Sequence, residues 1–151
     1  MKYIERVLEP GETVQYVSSL HWLVYLPGLL LIGVGIAGAL YLTIAASPVV
    51  AYAIMAVGFG LGLISLASGW FRRWTTEVAV TNRRIIYKRG FIRRTTVEMN
   101  MDKVESVIVD QSVLGRIFDY GDIIVRGTGS GLEPIRMIGE PLKFRSQVTA
   151  R

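Results

Sequence analysis

Hydrophobic and polar positions divide the chain into two unlike parts. Positions 13–71 hold no Asp, Glu, Lys or Arg, a run of 59 residues, while the remaining 92 carry all 29 charged side chains. Crossing about 30 Å of hydrocarbon takes a helix of about 20 apolar residues. The run has room for two such helices, 22–44 and 49–70, and is far too long for one. Between them lies Ala45-Ala46-Ser47-Pro48, and Pro48 suits the first turn of the second helix, where its missing N–H leaves nothing unpaired. The pattern therefore predicts a helical hairpin in a membrane. Trp22, Tyr25, Tyr41, Tyr52, Trp70 and Trp74 fall near the ends of the spans, the depth at which amphipathic rings settle. A cleavable signal sequence would need its apolar stretch directly behind a basic N-terminus, whereas 20 mostly polar residues come first here.

From Trp74 onward the period shortens to that of β-strands, broken by turn residues. Segments 75–81, 84–88 and 92–99 read as three consecutive strands, joined at Asn82-Arg83 and at Arg89-Gly90, with Gly90 supplying a positive φ. A fourth strand is expected over 103–111, where the imperfect alternation implies a bend or bulge. Residues 112–118 suit a short helical turn with Ser112 as N-cap and Leu114, Ile117 and Phe118 as its apolar side. Two further strands, 122–126 and 134–138, flank the loop Gly127-Thr128-Gly129-Ser130-Gly131, and 141–150 reads as a closing helix with Leu142, Phe144 and Val148 as its apolar contacts, Phe144 the least well placed. The organisation expected is a polar N-terminal segment (1–20), a two-helix hairpin (21–71) and a mainly-β domain (72–151).

Charge fixes the expected orientation. Residues 72–94 contain eight basic side chains, Arg72, Arg73, Arg83, Arg84, Lys88, Arg89, Arg93 and Arg94, against the single acid Glu77, a balance of +7. Residues 95–151 carry seven basic and eight acidic side chains, a balance of −1, and the loop between the spans is uncharged. Basic residues flanking a span stay on the cytoplasmic side, so a multi-pass protein of the cytoplasmic membrane with both termini inside is expected. Beside an anionic leaflet, each such Lys or Arg contributes about 1 kcal/mol of attraction; the competing reading is that these arginines set orientation and nothing more.

Candidate chemistry is sparse. Cysteine is absent and His21 is the single histidine, which excludes thiol chemistry and metal sites built on several histidines. Gly33 to Gly38 matches the G-x-G-x-x-G spacing of a dinucleotide loop, yet the acid expected about 20 residues later is missing until Glu77. The reading adopted is that Gly33, Gly35, Gly38, Gly58, Gly60 and Gly62 let two apolar helices approach closely, Gly58 and Gly62 forming a GxxxG pair. The 127–131 loop lacks the Gly-Lys-Ser/Thr and the helix of a phosphate cradle and reads as a hairpin loop. Asp102, Glu105, Asp110, Asp119 and Asp122 are scattered over strands and turns and read as a solvated face. No catalytic set, metal or cofactor is expected, and the basic residues form no nucleic-acid reader motif.

Several stretches together resemble the bacterial pleckstrin-homology-like membrane proteins. They are Glu5-Arg6-Val7-Leu8 with Pro10-Gly11-Glu12, then Glu77-Val78-Ala79-Val80-Thr81-Asn82-Arg83-Arg84-Ile85-Ile86, then Gly90, and finally Gln111-Ser112-Val113-Leu114-Gly115-Arg116-Ile117-Phe118 with Tyr120-Gly121. The resemblance implies two transmembrane helices before a PH-like domain, a bent antiparallel sheet or partial barrel of about seven strands closed by a short C-terminal helix. It also allows residues 7–18 to return and add a strand or cover one side of the domain.

The function expected is that of a non-catalytic interaction module on the cytoplasmic face of the bilayer, binding a protein partner or copies of itself. An alternative is recognition of anionic lipid headgroups by the basic residues of 72–94. Another is service as an accessory subunit of a membrane enzyme or transporter.

Overall fold

The computed structural model describes residues 3–45, 47–92, 94–128 and 134–150. Two compact units emerge, Trp22–Arg72 on one hand and Met1–His21 with Arg73–Arg151 on the other.

The first unit is helical. A 3₁₀ turn over Trp22–Tyr25 leads into α2 (Leu26–Ala45), which follows a short N-terminal helix α1 (Ile4–Val7) belonging to the other unit. The next helix, α3, runs Pro48–Thr75. Pro48 opens it as anticipated, and the Ala51 N–H donates to Ser47 O at 3.1 Å in its first turn. Among the described residues these are two helices long and apolar enough to cross a membrane. Most of their large side chains face outward, Ile44 at 90% and Val49 at 76% exposure, as a lipid-facing surface requires. Glycines bring the two backbones together. A Cβ on Gly58 would lie 2.8 Å from Gly35 Cα, and one on Gly62 would strike Ile32 and lie 3.0 Å from Gly28 O. By contrast a Cβ on Gly33 or Gly60 would meet nothing within 4 Å, and one on Gly38 would make ordinary contact with Ile54 at 3.7 Å. Gly28, which the motif reading passed over, packs against Leu66 and Gly62.

Seven strands build the second unit. Strands β1 (Val14–Ser18), β2 (Glu77–Thr81), β3 (Arg84–Arg89) and β4 (Thr95–Asn100) form one antiparallel sheet in that order. The other sheet holds β5 (Val104–Asp110), β6 (Tyr120–Gly127) and β7 (Ile135–Gly139). Helix α4 (Val113–Ile117) bridges β5 to β6, and α5 (Pro141–Thr149) ends the fold. The expected mainly-β architecture of about seven strands with a short C-terminal helix is what the chain adopts. Gly90 has φ +88° at the β3–β4 turn, and β5 carries its irregularity between Val104 and Ser106, both as the sequence implied.

Two boundaries differ most from the sequence reading. Thr75 closes α3 rather than opening a strand, so Arg73 and Trp74 lie in the last helical turn. The strand expected over 92–99 begins only at Thr95, because Phe91 and Ile92 are in the turn. Position 93 and positions 129–131 of the glycine loop lie outside the described residues.

The segment before the hairpin links the two sheets. Its β1 pairs with β2, Val17 facing Ala79 and Ser18 facing Val78. Its continuation then bonds to β7, with Gly139 N–H donating to Ser19 O at 3.2 Å and His21 N–H donating to Met137 O at 2.7 Å. The core between the sheets is made of Val78, Val80, Ile85 and Tyr87 from one, Ile123, Val125, Ile135 and Ile138 from the other, and Phe144 and Val148 from α5. Here the sequence reading is corrected. Phe144 is fully buried, edge-on to Tyr16 at 6.4 Å, while Leu142 is 55% exposed. On a helix 144 and 148 share a face and 142 lies across from them. Full burial of one such aromatic is worth about 1.5–3 kcal/mol.

Candidate anion-binding cleft

A cleft of about 790 Å³ opens in the β unit where α1, the end of β1, the last turn of α3, the start of β2 and the β3–β4 turn come together. Ile4, which is buried, holds α1 in place, so that Tyr3 and Arg6 reach the cleft wall. Arg73 arrives from α3, Lys88 from β3, and Arg94 from the segment leading to β4. Four cations thus converge, and among the described lining residues Glu77 is the acidic one. Hydroxyls of Ser18, Ser19, Thr75 and Thr76 and the rings of Trp74 and Phe91 complete the lining.

Strand register sets the chemistry at the floor. Glu77 lies directly opposite Lys88 across β2 and β3, and Lys88 Nζ approaches Glu77 Oε1 at 3.3 Å. The other carboxylate oxygen, Oε2, is buried and accepts no hydrogen bond. Tyr3 offers its ring to two cations, Lys88 Nζ at 4.9 Å and Arg94 Cζ at 5.2 Å from its centroid. Such contacts hold cations in place while leaving their N–H donors for other acceptors. Trp74 and Phe91 pack at 5.8 Å, and Ile92 beside them is 95% exposed. Next to the cleft, burial and then the charge of Arg73 lower the pKa of His21, against the raising effects of Asp119 and of a hydrogen bond with the Phe118 backbone.

The other described basic residues of the sequence cluster do not line the cleft. Arg72 belongs to the helical unit, and Arg89 is exposed at the end of β3. Arg93 lies outside the described residues. Arg83 makes an exposed pair with Glu9 at 3.3 Å. Arg84 is directed inward: its Nε donates to Glu12 Oε1 at 3.0 Å and its Nη2 to Glu12 Oε2 at 2.8 Å, with further bonds to Val7 O and Glu98. Its side chain is 13% exposed and that of Glu12 0%. Thr81 Oγ1, 2.7 Å from Glu12 Oε1, and the Glu9 N–H, 2.9 Å from Oε2, complete the carboxylate's partners. Burial acts to raise the Glu12 pKa, but the hydrogen bonds from Arg84, the Glu9 N–H and Thr81, with the Arg84 charge, prevail and hold it below the ordinary value. Those same bonds to Glu12 push Arg84 higher still. Arg84 therefore acts as a clamp on the N-terminal segment.

Sequence reasoning missed Tyr3, Arg6, Ser18 and Ser19 as members of the cleft, because 51 residues of hairpin separate them from Arg73. The one available signal was the allowance that 7–18 returns as a strand.

A family model described as Bacterial PH domain matches residues 23–151. The chain belongs to the bacterial PH domain family. Searches of the curated proteins and of the solved structures return no match. Membership accounts for the architecture, in which two long apolar helices precede six of the seven strands of a PH-like domain closed by a short helix. Domains of this kind are generally non-catalytic binding modules, and the two apolar helices point to membrane association. Among the described residues of this PH-like domain, no group of three acidic or histidine side chains is placed to hold a metal ion.

Proposed function

We propose that this protein is a membrane-anchored, non-catalytic PH-like module whose cleft binds the phosphate of an anionic lipid headgroup at the cytoplasmic face. The observation that carries the reading is the convergence of Arg6, Arg73, Lys88 and Arg94 on one cleft against Glu77. Arg73 lies one residue beyond the helical unit, so the cleft begins where the chain leaves that unit. Arginine and lysine donors in a partly enclosed setting form charge-assisted bonds to phosphate oxygens, roughly twice as strong as neutral ones. Hydroxyls supply neutral donors beside them. The uncharged inter-helix loop and the arginines after the second span support a multi-pass anchor with both termini inside.

The test compares the full chain with its Arg73→Gln, Arg94→Gln double variant by native mass spectrometry after release from bilayers of phosphatidylcholine and phosphatidylglycerol. Neither arginine belongs to the Glu12 clamp. At about 1 kcal/mol for each cation, the double variant should lose about 30-fold in preference for the anionic lipid. Equal retention of the two lipids by the unaltered chain would refute the reading.

A second reading, association with a protein partner or another copy, has its own support. Strand β4 pairs with β3 on one side and ends its sheet on the other. An open edge of six residues can accept an added strand. A crosslink from β4 to another polypeptide in native membranes would favour it.

A further inference from the structure

Helix α4 is inside out by the usual rule. Its N-cap is as expected, Ser112 Oγ accepting from Gly115 N at 3.1 Å, but Leu114, Ile117 and Phe118 do not turn inward. They are 58%, 68% and 44% exposed, and Val113 is 76% exposed. The face that packs is the backbone at Gly115, where a Cβ would lie 2.6 Å from Tyr120 O. Polar bonds fix the helix there, Gln111 Nε2 donating to Gly115 O at 3.2 Å and to Tyr120 O at 3.0 Å. The result is a rigid mount holding apolar side chains outward.

Its position within the β unit indicates what covers it. The Tyr120 ring stacks on His21 at 5.5 Å, and His21 is hydrogen-bonded to the Phe118 backbone. The residue after His21 is Trp22, the first of the apolar run of 23 residues, one peptide bond or about 3.8 Å away from Cα to Cα. The C-terminal end of α4 thus lies beside the residue that immediately precedes that apolar run in sequence. Arg116, exposed on the same helix, has the long apolar stem and cationic head that settle at a lipid interface. A stable protein–protein interface takes roughly 20–30 residues a side. Four side chains fall far short of that, whereas a bilayer offers apolar volume without needing a matching surface.

We infer that Val113, Leu114, Ile117 and Phe118 of α4 insert into the headgroup–acyl boundary of the bilayer, a contact that anchors the PH-like domain independently of its cationic cleft. The inference rests on the reading that the apolar helices cross the membrane, and its test separates the two. Because the chain has no cysteine, single spin labels can be placed at Ile117→Cys, at Val34→Cys in the first apolar helix and at Glu105→Cys on exposed β5. The full chain is reconstituted in vesicles of phosphatidylcholine and phosphatidylglycerol, and label depth is read from accessibility to oxygen against a water-soluble nickel complex. The Ile117 label should report a depth of roughly 5–10 Å into the headgroup–acyl boundary, with Val34 deeper and Glu105 aqueous. If Ile117 is as aqueous as Glu105 while Val34 is lipidic, the inference fails and the membrane reading stands. An aqueous Val34 overturns both. Spin–spin broadening at Ile117 that vanishes on dilution with unlabelled protein would assign the face to a second copy and overturn the inference.

Discussion

Replacing Glu12 by Gln should cost the β unit more than its place in a polar, pre-helical segment suggests. Glu12 is wholly enclosed, and its two oxygens face donors from Arg84, from Thr81 and from the Glu9 backbone. A glutamine keeps the volume but turns an NH₂ toward donors whichever way the amide is placed. It also leaves the Arg84 guanidinium, 13% exposed, without its bidentate partner. Breaking a buried pair in this way costs about 3–5 kcal/mol. Arg84 retains Glu98 at 3.0 Å, Glu9 at 3.3 Å and Val7 O at 2.9 Å, so the lower end applies, about 3 kcal/mol, or about 150-fold in the opening equilibrium. Hydrogen exchange of the full chain in nanodiscs, followed on peptides covering β1 and β2, measures that equilibrium. Arg83→Gln is the comparison: its pair with Glu9 is 53% and 55% exposed and should contribute at most about 1 kcal/mol. If Glu12→Gln changed protection by less than about 0.5 kcal/mol, the range of ordinary surface substitutions, the clamp would have no energetic meaning.

Two further outcomes follow from the same geometry. The Glu12 carboxyl titrates below its ordinary range when folded, so its contribution is complete above about pH 4.3, the unfolded value, and is lost as pH falls through the lowered folded value. Acid unfolding followed by exchange should therefore show a step below about pH 4.3 that Glu12→Gln removes; an unchanged acid profile in the variant would assign acid sensitivity elsewhere. In the helical unit, Gly58→Leu should lower the thermal midpoint of the detergent-solubilised chain through overpacking of about 1–3 kcal/mol, because a Cβ there meets Gly35 Cα at 2.8 Å. Gly60→Leu, with open space around it, should be tolerated, and equal midpoints for the two variants would refute glycine-mediated packing.

What the sequence by itself determined is whatever depends on neighbours along the chain. The absence of charge over 59 residues marks out the two apolar helices, because burial in hydrocarbon is set by composition over about 20 consecutive residues. Pro48, Gly90 and Ser112 fixed a helix start, a turn and a cap through backbone geometry that each residue imposes locally. Six of the seven strands followed from alternation and turn chemistry, while the seventh, β1, was suggested only by the family resemblance and owes its place beside β2 to the tertiary fold. Tertiary structure alone decided which side chains meet across long intervals. Eight basic residues between 72 and 94 read as one cluster, yet the fold directs Arg84 onto Glu12, Arg83 onto Glu9, and Arg73, Lys88 and Arg94 into a cleft shared with Tyr3 and Arg6. Periodicity also misassigned Leu142 and the apolar side of α4, since in helices of nine and five residues a face is chosen by what it packs on. Phe144 finds the core, and Gly115 lets a backbone lie flat against Tyr120. Charge is counted along a chain, but ion pairs and burial are settled in space, and here Arg83 and Arg84 are separated in sequence from Glu9 and Glu12 by the whole hairpin.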